Sequence, residues 1–266
     1  MSERVRWNRR LSQILPLFGM ALALASHVEA ADLRIAVSAN FRQTLQKLCE
    51  EFFATRDGGR CIITSGSSGL LYAQIVQGAP FDLFFSADRF RPERLEDAGY
   101  GVAGTRLTYA FGLLVFWNPA GAGSDDLREA LASSPVTTLA LANPSTAPYG
   151  AAAIAALKEL GIDAGKRYRL AVGESVAQAF QFVASGAADA GFVSRAQILD
   201  FAARSPSLPA GTALLVDEGL YEPIDQQAVL LSGAANPVDA RVFLAFLQSP
   251  LAATIIEASG YRMPGP

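Results

Sequence analysis

Cys61-Ile62-Ile63-Thr64-Ser65-Gly66-Ser67-Ser68-Gly69-Leu70-Leu71-Tyr72-Ala73-Gln74-Ile75-Val76 reads, from left to right, as a strand, a turn and a helix. Cys61 to Thr64 has the length and apolar character of a short buried strand, and Leu70 to Val76 reads as the helix that follows. The serines before Leu70 supply a hydroxyl cap, and Gly66 and Gly69 let the backbone approach a ligand closely. A helix start also carries unpaired N–H groups and the positive end of the helix dipole, so such a turn is a seat for an anion. Alone, it is no more than a helix cap. Its meaning depends on whether other turns join it.

The pattern repeats on both sides. Upstream, Leu33 to Val37 is a strand, Ser38-Ala39-Asn40 its exit turn, and Phe41, Leu45, Leu48 and Phe52 recur at helical spacing. Downstream, Phe81 to Phe85 is a third strand with Ser86-Ala87-Asp88 at its exit. Strand–helix alternation of this kind builds parallel sheets with right-handed crossovers. Leu107 to Trp117 breaks the rhythm: it is long, extended, and has Gly112 at its middle, as suits a chain leaving one domain for another. Alternation then resumes with a strand over Thr137–Ala142, a turn from Asn143 to Gly150, and an alanine-rich helix from Ala151 to Leu160. A strand over Tyr168–Val172, the turn Gly173-Glu174-Ser175, a helix from Val176 to Ala184, and a strand ending at Ser194-Arg195 follow. A second extended segment, Tyr221 to Leu231, returns the chain, and helices over Pro237–Leu247 and Pro250–Ser259 end it. The expectation is an α/β protein of two lobes, residues 31–109 with 223–266 and residues 110–222. Ligands of open α/β sheets bind beyond the carboxyl ends of the strands, so two facing lobes can converge on one cleft.

Composition narrows what such a cleft can do. The 266 residues are 51% hydrophobic and 18% charged, enough for sizeable cores, and the net charge of −3 with no internal basic run argues against nucleic acid. Arg4, Arg6, Arg9 and Arg10 followed by the apolar run Leu11–Ala25 and the small residues of Val28-Glu29-Ala30 read as a signal peptide cleaved before Ala31. An uncleaved anchor is the alternative, and Arg9-Arg10 leaves both general and twin-arginine export open. Removing residues 1–30 takes away four Arg and two Glu and moves the net charge from −3 to −5. It also removes His27, the single histidine, so no Ser-His-Asp or Cys-His nucleophile and no histidine-ligated metal site is available. Cys49 and Cys61 remain in a compartment that permits disulfides. They are expected to pair and close a short loop between first helix and second strand, with two separate buried thiols as the alternative.

Four strand exits carry anion-compatible turns before a helix: Ser38-Ala39-Asn40, Ser67-Ser68-Gly69, Pro148-Tyr149-Gly150 and Glu174-Ser175-Val176. None contains Lys, Arg or His. Helix-start amides, hydroxyls and an Asn amide can hold a fully ionised anion by hydrogen bonds alone. A protonated anion would want a carboxylate acceptor, and Glu174 is the one acidic residue in these turns. Asp82 and Asp88 flank a strand and read as turn caps rather than paired catalytic carboxylates, and Asp125-Asp126 as a helix cap rather than a metal site. Gly66-Ser67-Ser68-Gly69-Leu70 does not fit the nucleophile-elbow spacing.

This constellation resembles the periplasmic molybdate-binding proteins of ABC importers. The resemblance is carried by Ile35-Ala36-Val37-Ser38-Ala39-Asn40-Phe41, by Ser65–Gly69 with Gln74-Ile75, and most specifically by Gly78-Ala79-Pro80-Phe81-Asp82-Leu83-Phe84-Phe85-Ser86-Ala87-Asp88. Asn143-Pro144 with Pro148-Tyr149-Gly150, and Gly173-Glu174-Ser175-Val176, are similar to second-lobe motifs. The resemblance implies the two-lobed type II periplasmic binding fold, each lobe a mainly parallel sheet flanked by helices, with two hinge crossings. It implies oxyanion contacts from Asn40 and Ser68 in the first lobe and from the Tyr149 and Val176 amides in the second. No cofactor, no cation-ligating metal site and no catalysis are expected. The ligand is molybdate or tungstate, sulfate or another tetrahedral oxyanion being the alternative. The partners are a membrane permease and its ATPase, and the protein is a monomer. A periplasmic enzyme or a regulator's sensing domain is disfavoured. Two departures stand out. Ala39 or Asn40 stands where many members carry a hydroxyl, leaving the Asn40 side-chain amide as substitute. Ser194 stands where some members carry a ligand tyrosine, and Ser38 is a further candidate.

Overall fold

The computed structural model describes residues 31–121, 124–133, 136–205 and 211–265, so the expected signal peptide lies outside the described residues. The first part of the chain runs β1 (Leu33–Ser38), α1 (Arg42–Phe53), β2 (Cys61–Gly66), α2 (Ser68–Val76), β3 (Leu83–Ser86), α3 (Phe90–Asp97) and β4 (Leu107–Gly112). The middle runs β5 (Leu114–Asn118), α4 (Leu127–Ser133), β6 (Thr138–Ala142), α5 (Pro148–Glu159), α6 (Ala164–Arg167), β7 (Arg169–Gly173), α7 (Val176–Ala184), β8 (Ala190–Ser194), α8 (Arg195–Arg204) and β9 (Thr212–Leu215). The chain ends with β10 (Ile224–Leu230), α9 (Pro237–Phe246) and α10 (Pro250–Ala258).

Two five-stranded sheets result, ordered β2-β1-β3-β10-β4 and β7-β6-β8-β5-β9. Each has a parallel core, β2-β1-β3 or β7-β6-β8, extended by antiparallel pairing through one of the strands next to a crossing, β10 or β5. The long segment Leu107–Trp117 is two strands. β4 pairs with β10 in the first sheet up to Gly112, and β5 pairs with β8 and β9 in the second from Leu114 onward. A single residue, Leu113, separates the sheets. The return passes from β9 through a short 3₁₀ turn, Glu218–Leu220, into β10.

Parallel register sets up the site. Ser38 is opposite Gly66 and Val37 opposite Phe85, so the exits of β1, β2 and β3 end at one level. In the second sheet Ala142 is opposite Gly173 and Ala140 opposite Gly191, which levels the exits of β6, β7 and β8.

The cores follow the expected periodicities. α1 buries Thr44, Leu45, Leu48, Cys49 and Phe52, the spacing of one helical face. These pack with Leu33, Ile35, Val37, Phe85 and Phe243 under the first sheet, where Phe41 contacts the rings of Phe85, Tyr109 and Tyr261. In the second lobe the alanines of α5 (Ala152, Ala153, Ala156) sit against Phe116, Leu139, Leu141 and Phe192, while Trp117 stacks on Phe180. Asp82 is buried and accepts the Arg34 and Asn236 N–H groups, tying β1 to the approach to α9. Asp88 accepts the Arg91 N–H, and Asp126 accepts the Glu129 N–H. All three carboxylates are therefore structural.

Several expectations shift. β2 is not buried: it is an edge strand with alternating exposure, Ile62 being 41% exposed, because it has a sheet neighbour on one side only. α5 begins at Pro148 rather than Ala151, proline being favoured in a first turn where its missing N–H costs nothing. α3, α8 and β9 have no counterpart in the sequence reading. Among the described residues no single helix is long and apolar enough to cross a membrane.

Cys49 on α1 and Cys61 at the start of β2 are joined by a disulfide, and no described cysteine is free. It closes the loop that includes the Asp57-Gly58-Gly59 turn. Thiol titration of the native, unreduced protein is expected to find no thiol. Reduction is expected to lower stability by about 2–4 kcal/mol on loop-entropy grounds, read as a shift in the urea midpoint; two thiols without reductant would exclude the bond.

Candidate functional site

The level strand exits of the two sheets face one another across a small cavity. Ser38, Ala39, Asn40, Gly66, Ser67, Ser68 and Ala87 line it from the first lobe, and Ala147, Pro148, Tyr149, Ser175 and Val176 from the second. Its solvent-accessible volume is only about 10 Å³, so the two lobes stand close together around it. All four residues expected at the site, Asn40, Ser68, Tyr149 and Val176, are in this lining, and each is at least nine-tenths buried.

On the first-lobe side the Ser38 and Ser68 hydroxyls are 2.6 Å apart, and both accept from the Ala87 N–H, at 2.8 and 2.9 Å. One hydroxyl proton is shared between the two oxygens, and the other is free to turn into the cavity. This triangle brings together the exits of β1 and β3 and the first residue of α2. Ser67 is the N-cap of α2, its Oγ accepting the Leu70 N–H, which leaves Ser68 to face the cavity. Ser38 is thus a full member of the site. Ala87 was missed: the Ser86-Ala87-Asp88 exit was visible, but an alanine offers only its backbone, and nothing in residue type marks a backbone donor. The rule that ligands sit beyond strand ends, applied to all three exits, would have found it.

On the second-lobe side the donors are helix starts. Tyr149 is the second residue of α5 and Val176 the first of α7, positions whose N–H groups have no intrahelical acceptor. Ser175 caps α7 by accepting the Gln178 N–H, so its oxygen is engaged along its own helix. With α1 and α2 opposite, four helix N-termini surround the cavity, each worth roughly half a positive charge.

Two expectations about side chains change. The Asn40 amide is committed away from the cavity, donating to Gln226 Oε1 at 2.8 Å and to the Tyr261 hydroxyl at 3.2 Å. What Asn40 can offer is its main-chain N–H, since the turn's own hydrogen bonds use Ala39 and Phe41. Ser194 lies outside the lining. It is the N-cap of α8 in a full capping box with Gln197, so its hydroxyl is consumed. Glu174 is exposed and also outside it, its N–H held by Gln178.

No Lys, Arg, His, Asp or Glu is in the lining. Its one titratable group, the Tyr149 phenol, is pushed well above its usual range by burial, reinforced by Tyr261, Tyr109 and Tyr221, and stays protonated. The nearest ion pair, Arg91 with Asp88, is self-neutralising and spans the cleft mouth: the Arg91 guanidinium also donates to the Ser145 carbonyl, 3.4 Å away. Beside it the Gly69 N–H donates to the Thr146 carbonyl at 2.9 Å. A Cβ at Gly69 would meet Thr146 Cα and O at 3.0 Å, so glycine lets the lobes approach this closely without either backbone giving way. The arrangement supplies donors, no general base and no cationic countercharge.

Residues 33–262 match the family of bacterial extracellular solute-binding proteins. The chain is 41% identical over 255 residues to the molybdate-binding protein ModA of Azotobacter vinelandii, covering 95% of this chain and 98% of that one. It is 37% identical over 242 residues to the molybdate-binding protein ModA of Rhodobacter capsulatus, covering 91% and 92%. The solved structure of the Azotobacter vinelandii periplasmic molybdate-binding protein superposes with a TM-score of 0.81 at 40% identity, over 88% of this chain and all of that one. The fold is the two-lobed type II periplasmic binding fold.

Ser68→Ala is expected to weaken binding of the anion by about 1–3 kcal/mol, the value of a buried hydrogen bond to a charge. Ser194→Ala should cost about 1 kcal/mol of stability through its lost cap and leave affinity unchanged. Calorimetry paired with urea denaturation separates the two; equal affinities for both variants would take Ser68 out of the site.

Proposed function

Since the chain belongs to the bacterial extracellular solute-binding protein family, we propose that it captures molybdate outside the cytoplasm and delivers it to an ABC importer in the membrane. The observation that carries this reading is the cavity built of hydrogen-bond donors without an acceptor carboxylate or a cationic side chain. A doubly charged oxyanion with no proton to donate meets only favourable partners there. The one free hydroxyl proton of the Ser38–Ser68 pair, which the Ala87 N–H holds in place, and the N–H groups of Asn40, Tyr149 and Val176 are the assigned donors. The names of the relatives, which share up to 41% identity along nearly the full chain, support molybdate among such anions. Tungstate, of the same charge and shape, is expected to bind as well.

In this mechanism the anion enters an open cleft and the lobes close on it about the crossings at Leu113 and before Ile224. Residues 31–112 with 223–266 and residues 114–222 are the moving units in outline, the first boundary lying at Leu113 because β4 stays in the first sheet as far as Gly112. Each lobe brings part of the donor set, so the full set exists only when both meet. Charge-assisted hydrogen bonds offset the loss of hydration. No step of bond making or breaking is involved. The protein acts as a periplasmic monomer, exported by residues 1–30, and its closed form is what the permease, with its ATPase, recognises.

Calorimetry with sodium molybdate, tungstate, sulfate and phosphate tests the reading. Strong heats are expected for the first two and weak or none for phosphate, whose protonated form finds no acceptor. No heat with molybdate or tungstate would sink it. Because no lining group titrates in the range, molybdate affinity is expected to be flat from about pH 6 to 9. A fall across that interval would reveal an ionising residue in the site.

A further inference from the structure

Beside the first crossing, two buried polar atoms lack a hydrogen-bond partner: the Tyr149 hydroxyl and Gln226 Nε2. A Cβ placed on Gly112 would lie 2.3 Å from the first and 2.9 Å from the second. The two atoms are therefore no more than about 5.2 Å apart, the sum of those distances, yet make no direct hydrogen bond. One water molecule, bonding at roughly 2.8 Å to each, spans such a gap.

The orientation of Gln226 follows from its neighbours. Tyr261 has one proton, and it goes to the Asn40 carbonyl at 2.7 Å. The Tyr261 oxygen must then accept from the Asn40 side chain, which fixes the atom there as Nδ2. Asn40 Nδ2 in turn needs an acceptor, so Gln226 presents Oε1 to it and Nε2 to the hinge. Gln226 is fully buried and sits at the register shift between Gln226 and Gln227, the kind of irregularity that re-aims a side chain.

We propose that one buried water joins Gln226 Nε2 to the Tyr149 hydroxyl across the Gly112 crossing, making Gln226 a positioning residue for anion capture. The chain Asn40–Gln226–water–Tyr149 ties an anion-binding turn of the first lobe to one of the second. Both end residues offer the anion a main-chain N–H, so the bridge sets the relative position of the two turns when the lobes meet. A Cβ at Gly112 would collide with the Tyr149 hydroxyl and Gln226 Nε2, so the crossing is glycine where the two groups meet.

This role rests on the molybdate reading, and one arm of the test needs no anion. A crystal structure of the wild-type protein at about 1.2 Å should show a water within hydrogen-bonding distance of both atoms; its absence overturns the bridge. With sodium molybdate, Tyr149→Phe should bind about three- to tenfold more weakly through faster release, while its melting temperature without anion is unchanged or raised. In a Gln226→Met background, Tyr149→Phe should change affinity no further. Wild-type affinity in Tyr149→Phe, or effects that add, overturns the positioning role, since a merely structural hydroxyl would move the melting temperature and not the release rate. Wild-type protein that gives no heat with molybdate defeats the functional reading and that role with it, and the crystallographic arm still decides the bridge.

Discussion

A buried cavity without a charged side chain must draw its positive potential from the backbone, and that requirement governs where the helices start. An N–H group points into such a space only at a strand exit or in the first turn of a helix, because elsewhere the ladder consumes it. The sheets meet the requirement by register: Ser38 opposite Gly66, and Ala142 opposite Gly173, put several exits at one height. Had β2 slipped by one residue against β1, Ser68 would no longer meet Ser38, and the Ala87 N–H would lose one of its two acceptors. The edge strand β2 is the element most free to slip. The disulfide between Cys49 and Cys61 fastens its first residue to α1, which is the physical use of a cross-link at that place.

The same economy appears in the linkage between lobes. Contacts that hold the cleft mouth are main-chain carbonyls of Ser145 and Thr146 receiving Arg91 and Gly69 from the other side. Both carbonyls lie in the loop that leads into α5, whose second residue is Tyr149. Displacing that loop displaces the Tyr149 amide, so the latch and the donor are mechanically one piece. At the back, the Tyr149 ring reaches Gly112 and Gln226, and Gln226 reaches Asn40. α5 is thus gripped at the mouth through its leading loop and at the crossing through a side chain.

Much of this was legible from the chain, and the failures have a common cause. Alternating strands and helices, the two extended segments and the four hydroxyl- or amide-bearing turns are local patterns, and local patterns survive in sequence. Donors that depend on tertiary neighbours do not. Ala87 carries no polar side chain, so its N–H becomes visible only once Ser38 and Ser68 are beside it. Asn40 carries a polar side chain, but Gln226 and Tyr261, nearly two hundred residues or more away, claim it. Ser194 was readable in principle: Gln197 three residues on is the second half of a capping box, a stronger local signal than a distant ligand. β2 looked buried because its apolar content is real, and only the sheet order shows that it has no second neighbour.

The selectivity of the proposed function follows from what the cavity omits. A lining without a carboxylate discriminates against anions that carry a proton, because an O–H directed at a backbone N–H meets another donor and leaves both unsatisfied at a cost of order 1–3 kcal/mol each. It gives no such penalty to an oxyanion of equal charge and shape but shorter bonds, for which every donor still finds an oxygen. Between those two, the remaining lever is distance. A smaller anion either leaves donors of one lobe beyond hydrogen-bond reach or requires the lobes to approach further. Further approach is opposed at Gly69, where the backbones already stand in contact with Thr146. On the proposed reading, size discrimination rests on the mouth and hinge as well as on the residues that touch the anion.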